Sequence, residues 1–224
     1  MIKCYFGVPG AGKSTILVKE YRKRRKKYKN IYTINIDIEG CERITKEILE
    51  KYVIYDSLIL WDEITMDADN REFKSFSQDL RDFFILHRHL GCDIIYATQN
   101  FENVDKKIRD LTSELWYMSK SVIPFFREFT TAKRIYRNIN INEYTSDLTL
   151  GYRFCNLLES FFTSNFMIIF RRKYYKYFDS YNTLGLEKRE KYYGGNIKQN
   201  KSYINSISND TNNINNVLRQ LNNR

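Results

Sequence analysis

Short apolar runs recur along the first half of this chain, each closed by a glycine, an acidic pair or a polar cluster. Ile2-Lys3-Cys4-Tyr5-Phe6, the alternating Ile31–Ile36, Ser57–Trp61 and Asp93–Ala97 are strand-length, and the last two are apolar enough for buried parallel strands. Between them the period changes. Ser14 to about Asn30 and Ile44–Tyr52 read as helices, and Phe73, Phe76, Leu80, Phe83, Phe84 and Leu86 fall on one core-facing helical stripe within Asp67–Arg88, which Gly91 ends. Strands alternating with helices predict an α/β fold, a mostly parallel sheet with helices on both faces and a ligand site at the carboxyl edge of the strands. The first strand should have the strands ending at Asp62 and Gln99 beside it.

Beyond Asn100 the pattern weakens. Val104–Leu111 suits a helix, and Glu114–Ser119 and Phe125–Tyr136 suit strands, the second alternating basic and apolar residues. Phe154–Phe170 is expected as a core or interfacial helix. It carries Asn156, Glu159, Ser160, Thr163, Ser164 and Asn165, and falls short of the about 20 apolar residues of a membrane span. From Gly194 the composition turns to Asn, Ser, Lys and Ile, which predicts a largely disordered tail, with Ile214, Val217, Leu218 and Leu221 at helical spacing for a short docking helix. The expected organisation is a core over residues 1–120, an extension with strands and an aromatic-basic helix over 121–194, and a tail over 195–224.

A length of 224 residues suits one α/β domain with a small appendage. The formal net charge of +10 points to an anionic partner, nucleic acid or an anionic membrane surface, although a compositionally biased genome produces the same excess. Two segments concentrate it. Tyr21–Lys29 ends the first predicted helix, where the dipole favours cations and a solvated face is a better explanation than a nucleic-acid contact. Arg171–Tyr181 interleaves basic and aromatic residues that could stack on single-stranded bases, or simply pack tyrosines under lysine stems. The four cysteines are far apart and form no CxxC pair, as expected of reduced thiols in a cytoplasmic protein. The Met-Ile-Lys start runs straight into the first strand and leaves no room for a signal peptide. His87, His89 and Cys92 match no zinc spacing.

Chemistry enters at Gly7-Val8-Pro9-Gly10-Ala11-Gly12-Lys13-Ser14-Thr15, a complete G-x-x-x-x-G-K-[ST] between a predicted strand and a predicted helix. Glycines allow successive backbone N–H groups to curl around a phosphate, and the helix N-terminus adds partial positive charge. Gly7, Pro9, Gly10, Ala11, Gly12, Lys13, Ser14 and Thr15 are therefore the candidate nucleotide-binding residues, with Lys13 reaching the β- and γ-phosphates and Ser14 ligating Mg²⁺. Ser57–Trp61 delivers Asp62 and Glu63 to the same edge. Asp62 would complete the Mg²⁺ shell and Glu63 would polarise a water for attack, as general base. The strand at Asp93–Ala97 brings Thr98, Gln99 and Asn100 there, and Gln99 could sense the γ-phosphate or position that water.

The phosphate loop, the strand ending Asp62-Glu63 and the stretch Arg88-His89-Leu90-Gly91-Cys92-Asp93 leading to a strand ending Thr98-Gln99 resemble the zonula occludens toxin (Zot) family. That family includes assembly proteins of filamentous phages and looks related to the DNA-pumping, additional-strand P-loop ATPases. The resemblance covers about residues 1–120. It implies Walker A at Gly7–Thr15, Walker B at Asp62-Glu63 and a polar sensor at Gln99. It also implies an ATP- and Mg²⁺-dependent motor for phage DNA packaging, extrusion or virion assembly, working as a ring-like homo-oligomer on DNA, single-stranded DNA first. An arginine should complete a neighbour's site, with Arg88 the candidate and Arg109 second. Family members usually carry a membrane-spanning helix after the ATPase domain. Its absence from this reading leaves a peripheral position at the inner face of the membrane, through an assembly partner, as the expectation.

Other functions stay open. A small P-loop kinase shares the loop, although Asp62-Glu63 and Thr98-Gln99 favour water activation, which a kinase must avoid. A GTP switch ordinarily needs an Asn-Lys-x-Asp reader, which is missing from the sequence. A non-catalytic adaptor could use nucleotide for structure alone.

Overall fold

The computed structural model describes residues 1–67, 77–121, 126–141, 148–156 and 165–178. Its first strand, β1 (Ile2–Phe6), runs into the glycine loop and then helix α1 (Lys13–Arg24). There follow β2 (Asn30–Ile34), β3 (Glu42–Arg43), α2 (Lys46–Lys51), β4 (Ser57–Trp61), α3 (Gln78–Leu86) and β5 (Asp93–Thr98). Helix α4 (Lys106–Leu111) leads to β6 (Glu114–Lys120), β7 (Phe129–Ile141), β8 (Leu148–Phe154) and β9 (Phe166–Phe170). The sheet order is β3-β2-β4-β5-β1-β6-β7-β8, with β9 also on β7. Every pair from β3 to β6 is parallel, and β7 turns the sheet antiparallel against β6, β8 and β9. The α/β expectation holds. One placement differs: β5 stands between β1 and β4, so the Gln99 strand adjoins the phosphate-loop strand and the Asp62 strand lies one further out.

Both faces of the parallel strands are covered, which is why their sequences read as unbroken apolar runs. On one face Ile16, Leu17, Val18 and Tyr21 of α1 pack on Tyr5, Leu58, Leu60 and Ile95. On the other, Leu49, Leu80, Phe84 and Ile108 from α2, α3 and α4 cover Ile2, Cys4, Ile59 and Tyr96. Helix α3 is shorter than the apolar stripe predicts. It starts at Ser77, whose hydroxyl accepts from the Leu80 N–H at 3.2 Å. Leu80, Phe83 and Phe84 are buried, but Leu86 is half exposed, and Phe73 and Phe76 lie outside the described residues. Helix α1 ends at Arg24, before the basic run is complete.

Two expectations beyond the core are overturned. Phe166–Phe170, expected in a helix, is β9, and Phe154 closes β8. The segment F-M-I-I-F is aromatic and β-branched, and β7 offers it an open edge on which to pair its backbone groups. The aromatic-basic segment is two 3₁₀ turns, Arg171–Lys173 and Tyr175–Tyr177, where an α-helix was expected. Tyr174, Tyr177 and Phe178 pack against the α1 side of the core, and the Tyr177 carbonyl accepts from the Glu39 N–H at 3.1 Å. Those rings are engaged with the fold itself, which favours packing over base stacking for them. Among the described residues no helix is long and apolar enough to cross a membrane.

A buried ion-pair network ties α1 to the starts of the strands. Glu20 accepts from Lys3 at 3.0 Å, Tyr5 at 2.5 Å and Arg24 at 2.8 Å, and Arg24 continues to Asp93 at 3.1 Å. Burial pushes the Glu20 carboxyl up, but Lys3, the Tyr5 hydroxyl and Arg24 outweigh it and hold the group down to about 2. A depressed folded-state value contributes stability above the unfolded value of 4.5, and that contribution is lost as pH falls towards 2. Glu20→Gln should therefore cost on the order of 3 kcal/mol at neutral pH. Urea unfolding at a series of pH values should show the gap to wild type closing across that window. A gap independent of pH would sink the assignment.

Candidate nucleotide-binding and hydrolysis site

The glycine loop is shaped by its neighbours as well as by its own residues. At Gly7 a Cβ would sit 2.2 Å from the Met118 carbonyl oxygen, so β6 approaches closer than any side chain permits. Gly12 begins α1 in the left-handed region at φ 86°. Ala11 N–H closes the turn on the Val8 carbonyl at 3.1 Å. Ala11 and Thr15 are buried beneath the loop, whereas Pro9 and Gly10 are exposed. The Lys13 ammonium lies inside the loop, donating to the carbonyls of Gly7 at 2.9 Å and Val8 at 3.4 Å. Burial lowers its pKa, opposed by the carboxylates of Glu63 and Asp62.

The three motifs of the sequence meet at this edge. Ser14 Oγ donates to Asp62 Oδ2 at 2.6 Å across 48 residues of chain. Burial raises the Asp62 carboxyl, the Ser14 hydrogen bond draws it back, and the adjacent Glu63 raises it further. A half-buried carboxylate and hydroxyl in direct contact are oxygen donors of the kind a hard divalent cation takes, so Ser14 and Asp62 suit Mg²⁺ and would be the residues to hold it. The left-handed conformations of Gly10 and Gly12 likewise suit a loop that wraps a phosphate.

Glu63 holds a left-handed conformation at φ 46°, a strained position for a non-glycine residue of a kind found at functional sites. Its Oε1 accepts from Thr65 Oγ1 at 2.7 Å, Gln99 N–H at 3.2 Å and Thr98 Oγ1 at 3.4 Å. Gln99 thus meets Glu63 through its backbone, and its side chain is exposed at the strand tip. Thr65 and Thr98 orient that carboxylate, a role the sequence assigned to neither. Thr98 had a legible signal, as the last residue of a strand reaching this edge. Thr65 had none.

The two arginines lie elsewhere. Arg88 lines a cleft with Met1, Lys27, Tyr28, Asp56 and Asp93, at the amino ends of β1 and β5 and so at the opposite edge from the loop. Arg109, in α4, lends its carbonyl to Arg137 near the start of β6. Neither is brought to the chain's own phosphate loop. Lys120 and Arg171, by contrast, do reach the loop, although the sequence reading singled out neither for it.

The model of the zonular occludens toxin (Zot) family matches residues 1–150. In solved structures the chain is similar to the N-terminal domain of zonular occludens toxin from Neisseria meningitidis, at 14% identity and TM-score 0.54, over 80% of this chain and 98% of that one. It is also similar to the genome packaging NTPase B204 from Sulfolobus turreted icosahedral virus 2, at 10% identity and TM-score 0.42, over 66% of this chain and 95% of that one. A third is the flagellar accessory protein FlaH from Methanocaldococcus jannaschii, at 15% identity and TM-score 0.46, over 59% and 76%. The last two superpose too loosely to bear on the site. No curated protein matches in sequence. With the phosphate loop, the β5 insertion and two thirds of its length covered by one family, this chain is a P-loop NTPase fold that belongs to the zonular occludens toxin (Zot) family.

Proposed function

We propose that this chain is a Mg²⁺-dependent ATPase motor that moves phage DNA, or drives filamentous virion assembly, from a ring-like homo-oligomer. The observation that carries the reading is the Ser14–Asp62 contact with Glu63 beside it, which joins a phosphate loop, a cation-binding pair and a base at one strand edge. Lys13 has only loop carbonyls to leave in order to reach the β- and γ-phosphates. Ser14 and Asp62 would hold Mg²⁺, which neutralises phosphate oxygens when bound. Three donors converge on Glu63 Oε1, and among the described residues Oε2 is left to take the proton of an attacking water. Gln99, at the adjoining strand tip, would position that water.

The excess of ten positive charges supports a nucleic-acid partner, single-stranded DNA first. Arg88, with Arg109 second, is proposed for a neighbour's site, because neither serves its own. A cytoplasmic position peripheral to the membrane, through an assembly partner, completes the reading. In the proposed division into a core over residues 1–120, an extension over 121–194 and a tail over 195–224, Lys13, Ser14, Asp62, Glu63 and Gln99 all fall in the core, and Arg171 reaches the loop from the extension.

Phosphate release by the wild-type chain, with and without single-stranded DNA, tests the motor. Turnover that DNA raises several-fold is the expected result. Binding without hydrolysis under both conditions overturns it, and phosphorylated nucleoside or sugar products would replace it with a small-molecule kinase.

A further inference from the structure

Two cations from distant parts of the chain meet the phosphate loop. Strand β6 runs parallel to β1 with Tyr117 beside Phe6, so its last residue, Lys120, emerges at the edge that holds the loop. Lys120 Nζ lies 2.8 Å from the position a Cβ on Gly10 would take. Strand β9 returns along β7, ends at Phe170 opposite Phe129, and hands Arg171 to the same edge. Arg171 Nη1 donates to the Gly10 carbonyl at 3.0 Å and Nη2 to the Arg127 carbonyl at 2.5 Å. Its Cδ stands 3.1 Å, and Thr130 Oγ1 3.0 Å, from the Cβ position of Gly12. Arg171 Nε and Thr130 Oγ1 are buried and have no hydrogen-bond partner among the described residues.

These contacts do two different things. A planar guanidinium spanning a loop carbonyl and a carbonyl of the chain entering β7 fixes the loop against the antiparallel side of the sheet. Lys120 adds a point charge beside Lys13, and among the described residues no carboxylate pairs with Lys120 or Arg171. Asp62 and Glu63 act on Lys13 from the other side. Three cations gathered on one glycine loop repel unless an anion lies among them, and a glycine loop of this spacing suits a phosphate anion. The charge exceeds what Lys13 alone offers a phosphate.

We propose that the nucleotide site is completed within the same chain: Lys120 binds the terminal phosphate of a nucleoside triphosphate, and Arg171 is a positioning residue that holds the loop through Gly10 and Gly12. The inference rests on the nucleotide reading above, though not on hydrolysis. Lys120 makes the site discriminate triphosphate from diphosphate, and Arg171 sets the loop before nucleotide arrives.

Titration calorimetry with ATPγS and with ADP on the full chain tests the first part. Lys120→Ala should weaken ATPγS by about 10- to 100-fold and ADP by less than about 3-fold, as expected for one charge-assisted phosphate contact. Lys120→Arg should keep most of the discrimination. Equal losses for both nucleotides, or none, overturn the role of Lys120. Hydrogen exchange of residues 7–14 without nucleotide tests the second part. Arg171→Ala should raise it and weaken both nucleotides together by about tenfold, and Arg171→Lys should not restore it, since one ammonium cannot span both carbonyls. Exchange at the wild-type level in both Arg171 variants overturns the clamp. Wild type that binds neither nucleotide overturns the nucleotide reading and the Lys120 role with it, while loop exchange still decides Arg171.

Discussion

Glu63→Gln is expected to lower ATP turnover by about 10²- to 10⁴-fold, the usual contribution of a positioned general base. Glutamine keeps an oxygen at the place of Oε1, so Thr65, Thr98 and the Gln99 N–H retain their acceptor and the left-handed backbone has no new reason to move. What disappears is the basic oxygen that takes the proton from water. ATPγS affinity should stay within about threefold of wild type, because Glu63 makes no hydrogen bond to the loop and the main effect falls on the transition state. Phosphate release beside calorimetric ATPγS binding separates the two quantities. Residual turnover above about a tenth of wild type would remove Glu63 from the base role, and a matching loss of binding would make it a structural residue.

Lys13→Ala should abolish measurable nucleotide binding, a loss of at least about 100-fold for a buried charge-assisted phosphate contact. Its effect on the fold should be small. Lys13 donates only to the Gly7 and Val8 carbonyls, both at the loop, and burial already disfavours its charge. Alanine at the start of α1 also suits the helix. The melting temperature without nucleotide should therefore stay within a few degrees of wild type, while the upward shift that ATPγS confers on wild type vanishes. Nucleotide-dependent stabilisation that survives in Lys13→Ala would mean that phosphate binds elsewhere.

Much was legible in order along the chain, because local signals carried it. The strand, glycine loop and helix at Ile2–Arg24 need only apolar period and glycine spacing, and they came out in that order, the helix ending at Arg24 short of the expected Asn30. The buried strands ending at Asp62 and Gln99 were equally local, since a strand covered on both faces announces itself as an apolar run and its polar tip marks the ligand edge. Family membership followed from these same motifs.

Two of the misreadings have their physical origin in long-range contacts. Phe166–Phe170 became β9 because the edge of β7 accepted it, and nothing within five apolar residues distinguishes a strand from a buried helical turn. The aromatic-basic segment gave up a helix for two tight turns once its tyrosines found the α1 side of the core. Leu86 kept helical spacing yet emerged into solvent, because the helix ended there.

By itself, then, the sequence determined the phosphate loop, the acidic pair, the polar strand tip and the parallel α/β core, all of which are written in neighbouring residues. Only the tertiary structure decided that β5 separates β1 from β4, that Arg88 faces the opposite edge, and that Lys120 and Arg171 close on the loop. Gly10 and Arg171 are 161 positions apart, and their meeting depends on sheet order and on which edge remained open for pairing, a property of the whole assembly of strands and of no single stretch.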